Sequence, residues 1–202
     1  MNAVRTQNIW CVGRNFAAHA KEMKAPVPSS PLFFLKSGGC LNSSSVIKLP
    51  DWSDEVHHEI ELAFLIDENL SFSHVSLALD LTARPQQEAA KKAGQPWTLS
   101  KSFTGACPIG LWVSLLDIQN VLDLQIRLKK NKLTIQQAFA SEMIFKPSQL
   151  LDFIKKHFPV SPGDILLTGT PEGVGKLSPG DILSAEIQWE KQTLLACHWD
   201  VT

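Results

Sequence analysis

The sequence predicts one α+β domain, rich in strands of antiparallel or mixed pairing and carrying a few short helices. Three observations lead there. Residues 56–66 (VHHEIELAFLI) and 120–129 (NVLDLQIRLK) alternate with the period of two that marks a half-buried strand. Helix-sized stretches opened by Pro85 and Pro147 separate the β-rich parts. The string Ser-Pro-Gly-Asp-Ile-Leu occurs twice, from Ser161 and from Ser178, and Pro followed by Gly suits the central positions of a type II turn that enters a strand. No low-complexity linker interrupts the 202 residues, so a single domain over 1–202 is expected.

In chain order, 8–13 (NIWCVG) reads as a short buried strand, and 15–24 as a helix behind an Asn15 cap, stopped before Pro26. From Ala25 to Pro50, prolines, glycines and a serine run surround one apolar patch, PLFFL, which reads as loops flanking a strand. After the alternating 56–66 strand comes a second apolar stretch, Val75 to Leu81. A helix follows over about 84–93, with Pro85 in its first turn and Gly94 as its C-cap. Pro147 opens an amphipathic helix whose Leu150, Leu151, Ile154 and Phe158 share a stripe.

Composition narrows the function. With 44% hydrophobic and 19% charged residues the chain has material for a sizeable core. A formal net charge of -1 gives no global field for nucleic acid or anionic lipid. No apolar run approaches the roughly 20 residues of a membrane span. Four scattered cysteines and an N-terminus without a leader pattern lead us to expect a cytoplasmic protein.

Four groups of residues could carry chemistry. Glu59 and Glu61 lie two apart on one strand face, where like charges repel and a hard divalent cation would neutralise them. The pair alone also describes a solvated edge strand; Asp80, an acid embedded in an apolar run, favours the cation. His19 and Glu22, three apart, are neighbours on a helix, the arrangement of a general base but also of a surface ion pair. Lys101, flanked in an extended segment by Leu99 and Phe103, could meet a substrate carboxylate or snorkel to water. The strand and Gly-rich turn over 166–175 exposes backbone amides able to hold an anion, though it is not a nucleotide phosphate loop. Zinc spacing is absent, and His57 and His58 point to opposite faces.

Six strings in order, CVGRNFAAHAKEM from Cys11, PLFFLK from Pro31, HHEIEL from His57, ALDLTARPQQ from Ala78, PWTLSKSFTGACPIG from Pro96 and ILLTGTPEGVGKLSPGD from Ile165, resemble the fumarylacetoacetate hydrolase family in its short acylpyruvase-like branch. The resemblance implies a mixed, rolled β-sheet, a homodimer and a Mg²⁺ or Mn²⁺ site formed by Glu59, Glu61 and Asp80. It implies that His19 and Glu22 are the catalytic dyad, assisted by Lys101. Arg84, Gln87, Gly169 and Thr170 would meet a small keto-acid substrate. The reaction implied is hydrolysis of a C–C bond in 3-acylpyruvates or related β-diketo acids. The alternatives are oxaloacetate decarboxylation, isomerisation of an unsaturated keto-dicarboxylate, or a non-catalytic relative that binds a keto acid or only stabilises an oligomer. The chain departs from the family pattern at Phe16 in place of Tyr, Pro85 in place of Asp, Ala140 in place of Thr, and over 132–145, where the family's Arg-Gln-Asp-Gly turn is missing. The stretch between Glu61 and Asp80 is also shorter by about one helix.

Overall fold

The computed structural model describes residues 6–24 and 26–202. Ala25, the first residue of the expected loop, and residues 1–5 lie outside the described residues. The architecture is α+β and mostly sheet. A six-stranded sheet contains β1 (Asn8–Gly13), β2 (Leu32–Ser37), β6 (Ile60–Ile66), β7 (Phe72–Leu79), β10 (Val113–Ser114) and β13 (Ile165–Leu167), in the order β10-β7-β6-β13-β1-β2. Only β1 and β13 run parallel within it. A five-stranded sheet runs β12 (Leu133–Phe139), β11 (Gln125–Lys130), β15 (Ile182–Trp189), β16 (Gln192–Val201) and β4 (Val46–Ile47). Two small sheets complete the set: β14 (Gly175–Lys176), β5 (Val56–His58) and β8 (Thr82–Ala83); and β3 (Leu41–Asn42) with β9 (Cys107–Pro108). β6 and β7 touch β11 and β15, so the inner faces of the two large sheets share one apolar cluster.

The described residues include four short helices: α1 (Ala17–Glu22), α2 (Arg84–Ala93), α3 (Thr98–Lys101) and α4 (Pro147–His157). α2 follows its sequence signals, with Pro85 in the first turn and Gly94 closing the helix at φ +63°. α4 buries Leu150 and Ile154 of its stripe, and Phe158 just beyond its end stacks on Trp10 of β1 at 5.0 Å between ring centroids. Both Ser-Pro-Gly-Asp turns form as expected: Asp164 N–H donates to Ser161 O and Asp181 N–H to Ser178 O, with Gly163 at φ +86° and Gly180 at +89°.

Three expectations are corrected. The 56–66 strand is two strands, because the chain changes sheets at Glu59: β5 pairs with β14 and β8, and β6 pairs with β13 and β7. Nor is β6 half-buried, since strands flank it on both edges and protein covers both faces from Ile60 to Phe64. α1 starts at Ala17 and ends at Glu22, without a side-chain cap. The Asn15 side chain is committed elsewhere, bonding Phe145 and Thr168 across the fold. Finally, Lys101 ends a single helical turn rather than sitting in an extended segment, and Leu99 is exposed.

Candidate active site

The β6–β7 hairpin explains why three acids meet. Ile60 pairs with Leu79 and Glu61 with Ala78, and the ladder continues as Asp80 N–H donates to Glu59 O at 2.8 Å. Glu59, Glu61 and Asp80 therefore gather at one end of the hairpin, each offering a carboxylate oxygen within 4.8 Å of the others, all buried. The neighbouring strand closes the site. Thr168 N–H donates to Leu62 O just beyond β13, and Gly169 N–H donates to Glu61 Oε2 at 2.6 Å. The anion held by the Gly-rich turn is thus the protein's own carboxylate. Gly169 lies at φ +91°, and an added Cβ would come within 2.7 Å of Asn15 Cβ, so only glycine fits this approach.

Cations offset the acids. Lys101 Nζ lies 2.9 Å from Glu59 Oε2 and 2.5 Å from Asp80 Oδ2, and Arg84 Nη2 donates to Glu59 Oε1. Burial disfavours an ionised Glu59, but Lys101 and Arg84 outweigh it and lower its pKa. Burial works against the Lys101 ammonium too, and Asp80 with Glu59 overcomes it to raise its pKa. Glu61 behaves oppositely: burial, then Asp80 and Glu59, push its pKa well above the carboxylate range. An acid raised by two like charges is one that gains most from a divalent cation. Asp80 Oδ1 points the same way. It is buried without a hydrogen-bond donor, although Lys36 Nζ is 2.8 Å away, because that ammonium spends its hydrogens on the carbonyls of Leu81, Lys101 and Ala106. An all-oxygen set with an unused buried lone pair fits a hard cation such as Mg²⁺ or Mn²⁺.

The same cavity is lined by His19, Arg84, Gln87, Lys101 and Thr170. His19 Nδ1 is 3.1 Å from Glu22 Oε2, and Gly173 N–H donates to Glu22 Oε1 at 3.0 Å. A carboxylate only accepts, so Nδ1 carries a proton, and it is Nε2 that is left to exchange one with a substrate. Arg84 is fixed despite Pro85. Its Nε donates to His57 Nδ1 at 3.1 Å, Nη1 donates to Gln87 Oε1 at 2.8 Å, and His57 Nε2 in turn donates to Glu55 Oε1.

Two buried residues escaped the sequence reading. Lys36 belongs to the noted string PLFFLK, and it is fully buried while Leu32 and Leu35 of that string are exposed. Gln136 of β12, in the stretch that departs from the family pattern, accepts from Ile60 N–H and donates to Thr170 Oγ1 and the Pro171 carbonyl; its Oε1 also bonds His58 Nδ1. The alternation of 133–139 would have placed one of its two glutamines inward, but nothing local says which partner it finds.

The fumarylacetoacetate (FAA) hydrolase C-terminal model matches residues 8–198. The chain belongs to the fumarylacetoacetate hydrolase family. It is 40% identical over 192 residues to the mitochondrial oxaloacetate tautomerase FAHD1 of Mus musculus, covering 90% of this chain and 87% of that one. Among solved structures of the family, a fumarylacetoacetate isomerase/hydrolase-like protein from Oleispira antarctica superposes with a TM-score of 0.94 at 39% identity, covering 99% of this chain and 95% of the other. The fumarylpyruvate hydrolase of Pseudomonas aeruginosa, in complex with Mn²⁺ and pyruvate, gives 0.88 at 26% identity, covering 98% and 90%. This is a family of enzymes, and its relatives include tautomerases as well as the hydrolases that the resemblance emphasised. Among the described residues no helix is long and apolar enough to cross a membrane.

Proposed function

We propose that this protein is a divalent-cation-dependent enzyme of small 2-keto acids, and that keto–enol tautomerisation of oxaloacetate is the reaction its site supports best. One observation carries the reading: the buried Glu59, Glu61 and Asp80 share a cavity with an imidazole that Glu22 holds through Nδ1. Moving a proton at the carbon beside a ketone needs a base and a sink for negative charge on the oxygen. Mg²⁺ or Mn²⁺ held by the three carboxylates would supply Lewis-acid polarisation of that oxygen.

The chain's own residues supply the remainder. In the keto-to-enol direction His19 Nε2 accepts the C3 proton and, as imidazolium stabilised by Glu22, gives it to the enolate oxygen; in the reverse direction it takes the enol O–H proton and returns it to C3. Lys101 sets positive charge beside the carboxylates where the keto oxygen would lie. Arg84 and Thr170 are placed to bind the substrate carboxylate, with Gln87 holding the guanidinium. Gly169 keeps the wall free of a side chain. The working unit in this proposal is a single catalytic domain, assembled as the homodimer that the resemblance implies.

A second reading is C–C cleavage of 3-acylpyruvates, favoured by the likeness to the fumarylpyruvate hydrolase with Mn²⁺ and pyruvate. There His19 would take its proton from an attacking water. Decarboxylation of oxaloacetate would need no such water. A panel separates these readings: decay of the oxaloacetate enol absorbance, release of CO₂, and cleavage of acetylpyruvate, each with Mg²⁺, Mn²⁺ or EDTA. The proposal expects enol decay that chelator abolishes. Chelator-insensitive activity, or cleavage of acetylpyruvate without any tautomerisation, would overturn it.

A further inference from the structure

The cavity holds more positive charge than its acids use. Lys36, Arg84 and Lys101 pair with Glu59 and Asp80, while Glu61 accepts from the Gly169 N–H. Two further cations, Arg14 and Lys91, line the same cavity. Among the described residues neither has a carboxylate within 4.0 Å. Arg14 follows directly on β1 with its backbone at φ +59°, a left-handed conformation that a residue with a Cβ keeps only where its surroundings enforce it. Buried Asn15, bonded to Phe145 and Thr168, anchors the next position. Lys91 stands on α2 one turn beyond Gln87, its Nζ 3.2 Å from Gln87 Oε1 and 5.2 Å from the centre of the Trp97 ring. Partial burial, then the positive charges of Arg84, Arg14 and Lys101, lower its pKa against the opposing pull of Glu59.

Resting on the keto-acid reading above, we propose that Arg14 and Lys91 form a second anion subsite at the mouth of the cavity, taking the distal carboxylate of a dicarboxylic 2-keto acid. The metal-facing groups would read the 2-keto acid end, common to all the candidate substrates. The mouth would then select the class, favouring a dicarboxylate over a chain of equal length ending in a neutral group.

Oxaloacetate and 2-oxobutyrate test this, because they share a four-carbon skeleton and differ by a carboxylate against a methyl. Calorimetric Kd values for both are measured on the Mn²⁺-loaded protein and on Arg14→Gln, Lys91→Gln and Arg14→Lys. We expect each Gln variant to weaken oxaloacetate by about 10-fold, the size of one charge-assisted hydrogen bond, with 2-oxobutyrate nearly unchanged. Arg14→Lys, which keeps the charge, should retain the preference. Equal weakening of both ligands, or no weakening of either, would overturn the subsite. Enol decay measured on the same samples reports on the reaction separately: wild-type protein that discriminates the two ligands but does not tautomerise oxaloacetate would leave the subsite standing and sink the function.

Discussion

The hairpin that carries Glu59, Glu61 and Asp80 lies inside a six-stranded sheet with strands paired along both of its edges, whereas His19 and Glu22 ride on a six-residue helix that no side chain caps. A helix that short has no stability of its own in water. It is tied down by remote contacts: Asn15 to Phe145 and Thr168, the bridge between Phe16 and Met143, and Gly173 N–H to Glu22. The cation cradle is therefore as rigid as the core, and the base is only as well placed as a few hydrogen bonds allow. A proton-transfer group on a separately tethered segment beside a fixed charge site can be altered without disturbing the ligands.

The largest expected effect breaks the cradle side of this contrast. Lys36→Met removes the counter-charge beneath Asp80 and orphans three carbonyls, and thermal or denaturant unfolding should show a loss of about 3–5 kcal/mol. His19→Ala acts on the other side. Turnover should fall on the order of 10²-fold or more, equivalent to about 2.7 kcal/mol, while unfolding and cation affinity stay near wild type. Asn15→Ala loosens the tether: about 1–3 kcal/mol of stability from the unsatisfied buried partners, with turnover lowered more than cation binding. Glu22→Gln still accepts from the backbone of Gly173 but loses its charge, and should cost turnover about 10-fold with unchanged unfolding. If Asn15→Ala and Glu22→Gln weakened the cation as much as they slowed the reaction, the two halves would be one rigid unit and the contrast would fail.

The sequence reading reached the two halves unequally, for the same reason that they differ physically. Glu59, Glu61 and Asp80 stood out because charge inside apolar, strand-periodic segments is costly, and cost is visible locally. α2 emerged with its observed bounds because Pro85 and Gly94 act on their own backbone. Asn15 looked like a cap because its type and position fit one, yet its amide is spent on chain more than 120 residues away, which no local pattern records. The break at Glu59 was hidden because alternation continues through a change of sheet. Lys36 and Gln136 were missed because a lysine after an apolar string, or one glutamine of two, becomes informative only when its partners are known.

Mn²⁺ titration of the wild-type protein, Asp80→Asn and His19→Ala, followed by the paramagnetic signal of free Mn²⁺, tests the central claim most directly. The account predicts that wild type and His19→Ala bind alike and that Asp80→Asn, folded by circular dichroism, binds at least about 100-fold more weakly. Equal binding by Asp80→Asn, or no binding by the wild type, would contradict it.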